Sequence, residues 1–162
     1  MNILIVYDSL FGNTQKVAQQ IADEFRSHKV RLLFAKDATA KDLDGVELLI
    51  VGSPTHASQP SQGVKDFLDL LTKGCLKNIR GAAFDTGIPA KGQKAILRLF
   101  IGVMGYADKH IAKALKKNGA NVIGSDYGIS LPNAANQFHR IKLNQLCQLN
   151  PPSFPLCCKH VN

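Results

Sequence analysis

Between Val6 and Ala18 the chain reads VYDSLFGNTQKVA. Ser9, Asn13 and Thr14 supply side-chain hydrogen-bond donors, Gly12 supplies a backbone without Cβ, and the stretch carries almost no charge. An apolar run precedes it and a helical pattern follows it. The start of a helix offers unpaired N–H groups and a partial positive charge, so it can hold an anion without lysine or arginine. Gly12 lets the backbone come close to such an anion. The spacing therefore suggests a phosphate cradle. It contains no G-K-[ST] and does not fit G-x-G-x-x-G, so it is neither a Walker loop nor a dinucleotide fingerprint. For any one of these residues the plain alternative is a helix cap; the set as a whole favours a ligand.

Two further loops follow apolar runs. GSPTHASQPS, residues 52–61, is rich in turn formers. FDTGIPAKGQ covers residues 84–93. In an open α/β sheet, ligands bind beyond the C-terminal ends of the strands, where all three loops fall. Asp85 is either a ligand neighbour or the cap of the next turn. His56 is either an exposed loop histidine or a stacking group. No Ser–His–Asp set or carboxylate pair stands out, so no catalytic residue is expected. Cys75, Cys147, Cys157 and Cys158 form no C-x-x-C pair, and Cys157, Cys158 and His160 do not complete a tetrahedral metal site. Reduced thiols and no metal are expected. His28, His110 and His139 read as surface residues.

These loops need strands and helices to position them. Apolar runs at Ile3–Tyr7, Val30–Phe34, Glu47–Gly52 and Gly81–Asp85 read as buried strands, with a weaker fifth at Asn121–Gly124. The first and third hardly alternate, which suits strands covered on both faces. Val17, Ala18, Ile21, Ala22 and Phe25 recur at helical spacing and predict a helix over Thr14–His28. Val64, Phe67, Leu68 and Leu71 predict a second. Lys94–Asn118 predicts a third, interrupted at Gly102 and Gly105 and stopped by Asn118-Gly119. Ala40–Leu43 reads as one turn. Alternating strands and helices indicate a doubly wound, parallel α/β sheet.

The 162 residues suit one domain, expected over 1–149, with a last helix near Gln137–Leu149. NPPSFPLCCKHVN, residues 150–162, holds three prolines and reads as an irregular tail. No run approaches the roughly 20 apolar residues of a membrane span. MNILIVYDS does not resemble a signal peptide, and a cytoplasmic protein is expected. Lysine and arginine outnumber aspartate and glutamate by 20 to 12, a net charge of +8. That balance suits an acidic partner, a nucleic acid or an anionic surface, although solvated helix faces are the plainer reading. The basic residues are scattered and tryptophan is absent, so nucleic acid is not the expected partner.

The run Ile5-Val6-Tyr7-x-Ser9-x-x-Gly12-x-Thr14-x-x-x-Ala18-x-x-Ile21 resembles the flavodoxin signature at every position. The order of elements extends the resemblance over roughly Met1 to Gly124. It implies a flavodoxin-like three-layer fold, its five-stranded parallel sheet in the order 2-1-3-4-5. It also implies noncovalent FMN, with the phosphate carried over to Ser9, Leu10, Phe11, Gly12, Asn13 and Thr14. Pro54-Thr55-His56-Ala57 looks like the P-T-Y-G of the loop that flanks the isoalloxazine ring. An imidazole there covers less area than the usual aromatic. Ala57 stands where a glycine is usual, and positive φ would cost it about 1 kcal/mol. Asp85, Thr86, Gly87 and Ile88 are the carried-over contacts to the ring edge.

The resemblance implies electron transfer to redox partner proteins. Electron carriers of the family are commonly acidic, whereas this chain is basic. Two alternatives stay open at this point. One is a flavin-dependent reductase or oxidase of the same fold, acting on a quinone, nicotinamide or porphyrin. The other is a non-redox module that has lost the flavin.

Overall fold

The computed structural model describes residues 1–55, 59–86, 107–124 and 128–129. Strand β1 (Asn2–Tyr7) leads into helix α1 (Asn13–Glu24) and strand β2 (Lys29–Phe34). Two short 3-10 turns, Ala35–Asp37 and Ala40–Leu43, connect to β3 (Leu48–Pro54). Helix α2 (Gln62–Asp69), β4 (Arg80–Thr86), α3 (Ala107–Lys117) and β5 (Asn121–Gly124) follow.

The sheet order is β2-β1-β3-β4-β5 and every pairing is parallel, as expected. One short strand was not foreseen. β6 (Gly128–Ile129) pairs Asp85 and Thr86 at the far end of β4, whereas β5 pairs β4 from Arg80 to Ala82. The two thus share one flank of β4.

The near-continuous apolar runs reflect cover on both faces. Successive side chains alternate across a strand. Leu4, Val6, Leu49, Val51 and Ala83 pack on one face against Val64 and Phe67 of α2 and Ile111 and Leu115 of α3. Ile3, Ile5, Tyr7, Ile50 and Phe84 pack on the other against Val17, Ala18, Ile21 and Phe25 of α1. Three layers result.

Helix α1 ends at Glu24, earlier than the His28 expected. Its apolar spacing runs on because Phe25 is buried at the end of the helix. The Phe25 N–H is shared between the Ile21 and Ala22 carbonyls, and Arg26 and His28 bond back three residues. The chain is tightening into a turn there, because β2 begins at Lys29. Asn118-Gly119 does stop α3: Gly119 N–H meets Lys116 O at 3.1 Å and Ala120 N–H meets Leu115 O at 3.0 Å, a Schellman arrangement. The expected helical stretch over 94–106, the last helix over 137–149 and the tail from 150 lie outside the described residues.

Candidate functional site

The C-terminal ends of β1, β3 and β4 lie side by side, so the three loops emerge at one edge of the sheet. Asp8 N–H extends the β1–β3 ladder by bonding Gly52 O at 3.1 Å. The chain then leaves the sheet. Ser9 N–H turns onto the Asp8 carboxylate at 2.8 Å. The Ser9 hydroxyl oxygen is buried and has no hydrogen-bond partner among the described residues. Leu10 and Phe11 stand out from the surface, 61% and 85% exposed.

Gly12 begins α1 with φ 78°, and no side chain caps the helix. A Cβ added there would meet nothing within 4 Å, so the space over it is open. The first helical bond runs from Lys16 N–H to Gly12 O at 3.0 Å. The amides of Asn13, Thr14 and Gln15 precede it and have no intrahelical acceptor. The first turn contains no acidic residue. The cap expected as the plain alternative is absent: among the described residues no side chain bonds the first amides, and Thr14 is engaged elsewhere. Its hydroxyl lies 2.7 Å from that of Thr86, and both residues are buried. In a hydroxyl pair one group donates and the other keeps its proton for a further acceptor.

The second loop is fastened at both shoulders. Ser61 N–H donates to Ser53 Oγ at 2.9 Å, closing its base. Thr55, which follows Pro54 at the end of β3, donates its N–H to Thr86 O at 3.1 Å and its hydroxyl to Asp85 Oδ2 at 2.6 Å. His56 and Ala57 of this loop, and Gly87 and Ile88 of the third, lie outside the described residues.

Asp85 is fully buried. Its Oδ2 also accepts the Ala107 N–H at 3.1 Å. The side chain therefore caps α3, a helix that begins 22 residues later, rather than the turn next to it. Its Oδ1 is buried without a partner among the described residues. Burial pushes the Asp85 carboxyl up to about 6; the Thr55 hydroxyl pulls it down and the charge of Asp108 pushes it up again.

Sequence reasoning missed three contributors. Ser53 and Ser61 close the second loop, and Asp108, 1% exposed, sits beside Asp85. The only sequence signal was weak: a serine at each end of a proline-containing loop, and an acid in the first turn of a helix.

A doubly wound parallel sheet with loops gathered at its C-terminal edge defines an open α/β protein of the class that takes ligands at that edge. The family model for flavodoxin matches residues 5–137, and the chain belongs to the flavodoxin family. It is 39% identical over 70 residues to a flavodoxin of Aquifex aeolicus (strain VF5). That match covers 41% of this chain and only 38% of the relative's own length. Among solved structures the fold resembles a short-chain flavodoxin associated with a non-canonical PDU bacterial microcompartment. The TM-score is 0.72 at 18% identity, over 93% of this chain and 99% of that one. It also resembles a Fusobacterium nucleatum flavodoxin bound to flavin mononucleotide, with TM-score 0.60 at 16% identity, over 75% of this chain and 68% of that one.

Proposed function

We propose that the chain binds FMN noncovalently and passes electrons through it. The observation that carries this reading is the buried Ser9 hydroxyl, without a partner among the described residues, beside the uncapped start of α1. A buried hydroxyl without a partner costs free energy, and a phosphate seated here would supply the acceptor. The open space over Gly12 and the amides of Asn13, Thr14 and Gln15 fit the same group. The flavodoxin of Fusobacterium nucleatum that shares the fold was solved with flavin mononucleotide, which supports the choice of cofactor.

Ser9, Leu10, Phe11, Gly12, Asn13 and Thr14 would surround the phosphate. Pro54, Thr55, His56 and Ala57, with Asp85, Thr86, Gly87 and Ile88, would form the ring side over the ends of β3 and β4. Bound FMN would supply the electron-transfer chemistry. The protein seats the phosphate and holds the two ring-side loops together.

The redox partners of this reading are acidic, because the chain carries a net charge of +8. Exposed Lys109 and Lys113 lie on α3, whose first amide joins the site. A cytoplasmic setting goes with this reading, since Cys75 is a free, exposed thiol. Among the described residues, no helix is long and apolar enough to cross a membrane. Residues 1–149 are taken as the domain.

The test is direct. FMN added to the purified apoprotein is expected to lose its fluorescence and shift its visible spectrum. Unchanged fluorescence at micromolar protein would refute the cofactor assignment. Faster electron exchange with an acidic than with a basic redox protein, lost at high salt, is expected of the partner assignment; the reverse order would refute it.

A further inference from the structure

The lysines of this chain are scattered in sequence, and the fold gathers four of them at the edge of the sheet opposite the loops. One turn connects α2 to β4, and another leads from α3 into β5. The two turns abut where β4 and β5 begin. Leu76 N–H donates to Asn118 O at 3.1 Å, and Asn121 N–H donates to Ile79 O at 3.0 Å. A Cβ on Gly119 would meet Gly74 Cα and Lys77 N, each at 3.4 Å, so the two backbones touch. Leu76 is wholly buried and pins its turn into the core that Leu115 of α3 shares. Gly74, Asn78 and Gly119 take φ of 87°, 73° and 98°, the left-handed region that asparagine enters more readily than other side chains. Both turns are therefore held in shape.

Lys73 and Lys77 stand on the first turn, Lys116 and Lys117 on the second, and all are exposed. None of them forms an ion pair with a described residue. Residues 70–84 and 109–124 contain no aspartate or glutamate. Asp69, exposed at the end of α2, is the nearest acid in sequence. Lys116 and Lys117 also complement the C-terminal dipole of α3. That role leaves Lys73 and Lys77, on a loop, without a reason to join them. Leu70 closes α2 three residues before Lys73 and is 54% exposed. Strand β4 runs from Arg80 to Thr86, which puts roughly 20 Å between this cluster and the loops at the far edge.

We propose that the cluster of Lys73, Lys77, Lys116 and Lys117 is a docking surface for an anionic lipid bilayer. It seats the chain on the headgroups by the N-terminal edge of the sheet and turns the loops at the C-terminal edge away from them. Unpaired lysines select a negatively charged occupant. The exposed leucine beside them selects lipid, since an apolar side chain among cations suits the headgroup boundary. Nucleic acid fits less well. Residues 70–80 and 113–124 contain no aromatic side chain on which a base could stack, and α3 arrives here by its C-terminus, with no helix laid out for a groove. The proposal does not depend on a bound flavin.

The test is co-sedimentation of the full chain with vesicles. Binding is expected to phosphatidylcholine vesicles containing about one third phosphatidylserine, with little to phosphatidylcholine alone. It should be lost as salt rises from about 0.05 to 0.5 M. Each lysine at the surface contributes about fivefold, so Lys73→Gln with Lys116→Gln, one from each turn, should weaken binding by about 30-fold. Lys16→Gln with Lys36→Gln removes the same charge from the loop edge and should weaken it less than about threefold. Acylation of lysines offers a second measurement that needs no variant. Vesicles should protect Lys73, Lys77, Lys116 and Lys117 and leave Lys16 and Lys36 reactive. Equal losses in the two variants, uniform protection, or no preference for anionic vesicles would overturn the proposal. Tighter binding of a DNA oligonucleotide than of anionic vesicles through the same lysines would overturn it in favour of nucleic acid.

Discussion

The first loop and the end of β4 sit at the same edge of the sheet and are built on opposite plans. From Ser9 to Asn13 the first loop is open. Two of its large apolar side chains face solvent, its helix is uncapped, and a serine hydroxyl lacks a partner among the described residues. The end of β4 is closed. Asp85 and Thr86 are buried and bonded to Thr55, Ala107 and Thr14. A site that receives a charged group from outside leaves its donors unpaired beforehand. A site that must hold loops in place uses its donors internally. In the proposed reading the first region receives the ligand and the second aligns the loops around it.

The comparison can be broken from the closed side first. A Cβ at Gly52 would run into the Phe84 ring, across the β3–β4 pair beneath the closed end of β4. Gly52→Ala is expected to cost about 3 kcal/mol, lowering Tm in calorimetry by about 6–12 °C. A Tm within a degree or two of the wild type would show that Phe84 moves aside freely. On the open side, Ser9→Ala is expected to weaken FMN by about 30-fold, as for one hydrogen bond to a charged group, to leave riboflavin affinity unchanged and to keep or raise the Tm of the apoprotein. Equal losses for the two ligands would place the phosphate elsewhere.

A smaller effect is read through pH. The Asp85 pKa is raised by folding to about 6, so the folded state binds this proton more tightly than the unfolded chain. Stability therefore increases as pH falls from 7 towards 5, by about 1.4 kcal/mol, and the Asp85→Asn variant lacks that gain. Two other groups act differently. His28, held below its usual value by burial and the N-terminal charge, opposes the gain in the same window. Asp42, held low by its hydrogen bonds to Thr39 and then by Arg31, loses its contribution only at more acid pH. Comparing denaturant midpoints of the wild type and Asp85→Asn cancels both. Last, Thr86→Val removes the link to Thr14 and is expected to cost about 1 kcal/mol in urea unfolding. It should affect FMN less than Ser9→Ala does; a larger effect on FMN would mean that the closed region, not the open one, seats the phosphate.

Much of this was legible in the residues themselves. The runs at Ile3–Tyr7 and Glu47–Gly52 showed strands covered on both faces, because a buried parallel strand has no polar side to show. The helical spacing from Val17 to Phe25 marked α1, although it overran the end, since Phe25 is buried by the turn and not by the helix. The loop from Ser9 to Thr14 was legible as a possible anion site because helix-end chemistry is local: a glycine, short polar residues and the following amides are all close in sequence.

What sequence could not assign was the use of each hydroxyl and carboxyl. Thr14 looked like a ligand donor, and its hydroxyl meets Thr86, 72 residues away. Asp85 left a choice between a ligand contact and a local cap, and it caps a helix 22 residues on. Both outcomes depend on the register that sets Gly52 beside Phe84 and Pro54 beside Thr86. Apolar pattern and local backbone chemistry determined the layers and the open loop. Only the packed sheet, by fixing which strand ends meet, decided which polar groups bond one another within the protein.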